Sequence, residues 1–195
     1  YLITAIAISG CAKGPPAPLK DGAYLRYKYI SDDYSGTCEI ILTQVDKKYF
    51  EVTVKDPKGL LGRPFAVSHG KDGRVLVDSF MRGRNGRPFQ MEALGPIWVD
   101  ARTREKGGRT SLDSFFSGST TDEIKNWKRW KTYVVQATAF RGAISGTWYY
   151  DIKTGFLVGL ERKNVVTSII MPNPPYWILE STNIEVSSGE PVTES

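Results

Sequence analysis

Gly146-Thr147-Trp148-Tyr149-Tyr150-Asp151-Ile152-Lys153-Thr154-Gly155-Phe156-Leu157-Val158-Gly159-Leu160-Glu161 sets two aromatic and aliphatic runs on either side of a polar turn, with Lys153-Thr154-Gly155 at its tip. Such a pattern reads as a β-hairpin. The same grammar extends through the chain. In Tyr49-Phe50-Glu51-Val52-Thr53-Val54 the residues Phe50, Val52 and Val54 share one side, the period-two mark of a half-buried antiparallel strand. Residues 23–30 carry Tyr24, Tyr27, Tyr29 and Ile30; residues 37–45 set Cys38, Ile40 and Leu42 against Glu39, Thr43 and Gln44, with Ile41 breaking the strict alternation.

Turn signals separate these runs. Asp32-Asp33-Tyr34-Ser35-Gly36 and Asp46-Lys47-Lys48 close the first ones, and Lys71-Asp72-Gly73 suits a hairpin because Asp-Gly accepts positive φ. Residues 65–69 and 74–80 flank that turn, and residues 132–140, 161–171 and 176–186 are further strands. Local, sequential turns predict a meander. The fold class expected is mainly β, a curved antiparallel sheet or partly open β-barrel, with one short α-helix.

That helix is placed on residues 120–131. Thr120 and Glu123 have capping-box spacing, acids open the segment and bases close it, as the helix dipole favours. Ile124, Trp127 and Lys131 would share a side, with Trp130 nearby. Such a helix would either sit at a membrane interface or cover one end of the sheet with its tryptophans in the core.

The chain has 195 residues, 41% hydrophobic and 12% aromatic, with 19 Gly and a formal charge of +5. This length suits a single domain able to bury a core without staples. The excess of cations favours anionic partners. Two loop clusters concentrate it: Arg82, Arg84 and Arg87, then Arg102, Arg104 and Arg109. They would form an anion-binding rim, or else act as solvated loops that discourage edge-to-edge association.

The segment Leu2 to Ile8 is apolar and too short to span a bilayer as a helix, which takes about 20 residues. Ile8-Ser9-Gly10-Cys11 then resembles the lipobox of bacterial lipoproteins at all four of its positions: a branched apolar residue, two small residues and a cysteine. The resemblance implies that residues 1–10 are the remnant of a signal peptide and that Cys11 becomes a lipidated mature N-terminus. The protein would then be exported and membrane-anchored, facing the periplasm or the outer surface. Residues 11–22, with Pro15, Pro16 and Pro18, would be an extended tether; residues 23–186 would be the single β-rich domain, and 187–195 a polar tail. If Cys11 carries lipid, Cys38 has no internal partner; if not, an 11–38 disulfide is open.

The hairpin 146–161, a tryptophan strand with a Thr-Gly turn and an apolar return, is similar to hairpins of proteins related to outer-membrane lipoprotein carriers. That resemblance implies a curved sheet around an apolar cavity and acyl-chain binding without catalysis.

Catalytic signatures are sparse. There is one histidine, His69, beside Ser68 and Asp72, but neighbours along a strand point to opposite faces. One histidine and two cysteines cannot build a zinc set, and no nucleophile elbow, phosphate loop or dinucleotide fingerprint is present. Asp100, Glu105, Asp113 and Asp122 could pair as carboxylates only if loops brought them together. The expectation is therefore a non-enzymatic binder of an apolar or amphipathic envelope ligand, with Trp127, Trp130, Trp148 and Trp177 as candidate liners, no cofactor, no metal and no nucleic-acid partner. A scaffold binding an envelope protein is the second reading, and an envelope hydrolase the third.

Overall fold

The computed structural model describes residues 19–32, 34–65, 73–99, 116–139, 144–165 and 176–186. The elements in chain order are β1 (Ala23–Ile30), β2 (Ser35–Gln44), β3 (Phe50–Lys55), β4 (Pro64–Phe65), β5 (Leu76–Val77), β6 (Gln90–Met91), β7 (Gly95–Pro96), β8 (Phe116–Trp127), β9 (Trp130–Ala139), β10 (Ile144–Asp151), β11 (Leu157–Val165) and β12 (Tyr176–Thr182). Nine strands form one open antiparallel sheet in the order β5-β3-β2-β1-β12-β11-β10-β9-β8, and β4, β6 and β7 form a small second sheet. The mainly β, open antiparallel architecture read from the sequence is what the chain adopts.

Alternation does the local work. Ala23, Leu25, Tyr27 and Tyr29 of β1 are buried while Arg26, Lys28 and Ile30 are exposed, and β2 buries Cys38, Ile40 and Leu42 on the same side. Cross-strand register continues this inner face through Trp177, Leu160, Trp148 and Val135. The segment running from β4 to β7 covers it. Trp148 Nε1 donates to the Leu94 carbonyl at 2.9 Å and the Tyr150 hydroxyl to that of Pro96 at 3.1 Å. Trp98 Nε1 donates back to Thr154 at 2.7 Å. Tyr27 finds Leu157 at 2.8 Å. Each large side chain thus buries its ring and still satisfies its polar tip, the condition for a buried Tyr or Trp to stabilise rather than cost.

The hairpin that opens the sequence reading is β10–β11. Asp151 Oδ2 accepts from the Thr154 amide at 2.8 Å and from its hydroxyl at 2.6 Å, and Gly155 turns the chain with φ 79°. Both of its strands are buried on both faces near the turn.

One expectation needs correction. Residues 120–131 are not a helix: β8 runs through Trp127, Lys128 and Arg129 form the loop, and Trp130 opens β9. Glu123 pairs with Val134, Ile124 with Tyr133 and Trp127 with Trp130. The spacing could not discriminate, because positions 127 and 130 neighbour each other on a helix and face each other across a two-residue hairpin loop. What decides is a β-prone partner, residues 132–139, which pairs with Phe116, Ser117 and Thr121 to Lys125 of β8, the register shifting between Ser117 and Thr121. Among the described residues there is no helix.

Candidate functional site

The tip of the β8–β9 hairpin leans across the outer face of the sheet. Gly159 makes this lean possible, since a β-carbon there would overlap the Trp127 indole. Trp127 stacks on Tyr149 with centroids 4.2 Å apart and planes at 13°, and lies 5.8 Å from Trp130 at 19°. Glu161 fastens the stack: Trp127 Nε1 donates to one carboxylate oxygen at 3.2 Å and the Tyr149 hydroxyl to the other at 2.9 Å. Burial, with the bond to Glu161 next, raises the Tyr149 phenol above its ordinary range.

The loop residues close the arrangement. Lys128 takes a positive φ of 49°, which carries a cost for a side chain with a β-carbon. Its ammonium sits 5.5 Å from the Trp127 ring and 5.4 Å from that of Tyr176. Arg129 lies 4.7 Å over Trp130 and donates from Nη2 to the Glu180 carbonyl at 3.0 Å. Between this latch and strands β1 and β12 opens a groove of about 420 Å³. Its apolar lining comes from Trp130, Ile30, Ile178 and the Tyr176 ring, and its rim carries Lys28, Lys128 and Arg129 against the carboxylate of Glu180. The buried Tyr176 hydroxyl has no hydrogen-bond partner among the described residues. An apolar floor under an excess of cations is chemically complementary to a molecule with a greasy body and a negative end. Among the described residues that line it, no nucleophile is paired with a base.

The tryptophans proposed as liners divide. Trp130, itself 1% exposed, forms part of the groove wall and stacks with Trp127 on the outer face, whereas Trp148 and Trp177 lie buried in the core of the inner face. The first arginine cluster does not converge on one rim. Arg82 is held by Asp78 through Nε at 3.1 Å and Nη2 at 2.9 Å, Arg84 lies 5.2 Å over the Tyr49 ring, and Arg87 is exposed. Cys11, His69, Ser68, Asp72, Asp100, Arg102, Arg104, Glu105, Arg109 and Asp113 lie outside the described residues, as do residues 1–18 and 187–195. Asp122 is in β8. Among the described residues no group of three or more His, Cys, Asp or Glu could hold a metal ion. Cys38 is a free buried thiol, 2% exposed, and burial pushes it up to about 12.

Sequence reasoning missed Lys28, Ile30, Lys128, Arg129, Tyr176, Ile178 and Glu180. The usable signal was Trp-Lys-Arg-Trp, two bases flanked by indoles, which marks a cationic, aromatic loop once it is read as a hairpin tip.

A single methyl tests the construction. Gly159→Ala is expected to expel the Trp127 indole, costing about 1–3 kcal/mol by overpacking, and to raise acrylamide quenching of tryptophan emission. Unchanged quenching and melting temperature would show that Trp127 does not rest on Gly159.

No protein-family model matches the chain, and neither the curated proteins nor the solved structures compared with it give a match.

Proposed function

We propose that the chain is a non-catalytic binding protein for an amphipathic ligand, exported and tethered to a bacterial envelope through a lipidated Cys11. The observation that carries the binding half of this reading is the outer-face groove, apolar along Trp130, Ile30 and Ile178 and rimmed by Lys28, Lys128 and Arg129. Carriers built from a curved sheet would hold acyl chains against the inner face; here the β4–β7 segment packs on that face, and the ligand surface moves to the opposite side. The anchoring half rests on Ile8-Ser9-Gly10-Cys11 alone.

A scaffold role is the second reading. It is favoured by β8, a strand of 12 residues lying at the open edge of the sheet, where a partner's strand could add. Native mass spectrometry of the chain expressed with a complete signal peptide separates the two. The binding reading expects an amphipathic species to co-purify with the Cys11→Ala chain extracted without detergent and to be lost on Lys28→Glu. It also expects the wild-type chain, but not Cys11→Ala, to carry the mass of an acylated thioether. A groove empty in every preparation moves the function to the β8 edge.

A further inference from the structure

Arg162 follows Leu160 by two residues on β11, so it falls on the inner face, and it is only 8% exposed. Its Nη2 donates to the Ala93 carbonyl, one residue before the Leu94 carbonyl that takes the Trp148 indole. Nε and Nη1, which carry most of the guanidinium's N–H groups, have no hydrogen-bond partner among the described residues. No carboxylate among them forms an ion pair with it, and burial alone holds its pKa down at about 10.

An uncompensated cation is the exception in this interior. The phenols of Tyr27 and Tyr150 and the indoles of Trp98 and Trp148 all reach backbone carbonyls, and Asp151 is held by Thr154. Desolvating a guanidinium without an anion is costly enough that proteins seldom keep one without a use. The neighbouring positions are small. Gly146 stands opposite Arg162 in the register, Ala137 opposite Gly146, and Ala93 belongs to the covering turn. The Trp148 ring runs alongside, 3.4 Å from where a Gly146 β-carbon would lie.

From this placement we infer that Arg162 receives the oxyanion of a bound ligand, a carboxylate or phosphate, at the Gly146 end of the inner face. Arginine rather than lysine suits the task, because its planar fork can offer two parallel N–H groups to two oxygens. The site is separate from the outer groove and goes beyond the reading built on it.

Thermal unfolding of the full chain, in detergent if acylated, tests this with two probes at constant ionic strength: inorganic phosphate and sodium octanoate, each against chloride. The expected result is a saturable rise in melting temperature with at least one probe. Phosphate alone would mark a phosphate ligand, and octanoate alone a carboxylate with an apolar tail. Arg162→Met should abolish the rise while melting, without anion, at or above the temperature of the parent that keeps Arg162, since it removes a buried charge that has no anionic partner among the described residues. Arg162→Lys, which keeps the charge, should weaken binding roughly tenfold; every chain compared, the parent included, carries Lys28→Glu, so that octanoate taken up by the outer groove does not enter the response. No rise in the parent that keeps Arg162, or an equal rise in the Arg162 variants, overturns the assignment. If Arg162→Met fails to fold, the decision passes to Arg162→Lys: an undiminished response there overturns it as well.

Discussion

Gly155→Ala is expected to lower the melting temperature by roughly 6–15 °C, the shift that about 3–4 kcal/mol produces in a domain of this size. Two costs add. Gly155 has φ 79°, where a β-carbon is strained by about 1–2 kcal/mol. That carbon would also overlap the Val99 carbonyl oxygen and come within 2.8 Å of Trp98 Nε1. The oxygen belongs to the backbone and cannot rotate away. It cannot shift cheaply either, because the Val99 amide donates to the Gly155 carbonyl at 2.9 Å, the Gly155 amide to that of Asp151 at 2.7 Å, and Trp98 to Thr154 at 2.7 Å. The change therefore parts the covering segment from the β10–β11 turn. Gly86→Ala is the control: its φ is 75°, but nothing lies within 4 Å of the added carbon. It should show the strain alone. Equal losses for the two variants would refute the contact argument.

Alkali should unfold the protein. Tyr27 and Tyr150 are fully buried and their phenols are held well above the ordinary range, first by desolvation; burial likewise takes the Cys38 thiol to about 12. All three are acids that the folded state keeps protonated, so unfolding releases protons once the pH passes the unfolded values. Their stabilising contribution is intact below a pH of about 8.5 for the thiol and about 10 for the phenols. Above those values each group removes about 1.4 kcal/mol per pH unit until its folded pKa is reached. By a pH of about 11 the sum is roughly 6 kcal/mol, comparable to the total stability of many domains. Loss of near-ultraviolet circular dichroism should then coincide with a jump in tyrosinate absorbance. Tyr27→Phe combined with Tyr150→Phe should move the midpoint to higher pH, provided the lost phenolic hydrogen bonds leave the chain folded at neutral pH. Smooth phenol titration near 10 in a chain that stays folded would defeat this account.

Strands were legible where one residue in two is apolar, as in β1 through Leu25, Tyr27 and Tyr29 and in β3 through Phe50, Val52 and Val54. The turn at Asp151-Ile152-Lys153-Thr154-Gly155 was legible because it is held by side chains within itself. Residues 120–131 were misread because their capping-box spacing and paired indoles satisfy two geometries, and the choice between them belongs to residues 132–139. The groove was beyond a local reading: Lys28, Arg129 and Ile178 come from three distant stretches joined only by strand order. Arg162 looked like any strand arginine. Counting two residues on from Leu160 would have turned it inward, but only the register shows that the positions beside it across the sheet are Gly146 and Ala137.

The centre of the large sheet is where β1 meets β12, and there the Tyr24 amide binds the Asn183 side chain across 159 positions of sequence. β1 can pair with β2 at once, but its other edge waits until the last strand has been made. Until then Leu25, Tyr27 and Tyr29 lack the flank that Trp177 and Leu179 supply. A chain wired this way commits late, because loop closure over so long a span is slow. Two bundles of local hairpins would form early, and the seam between them would set the time at which the protein becomes itself.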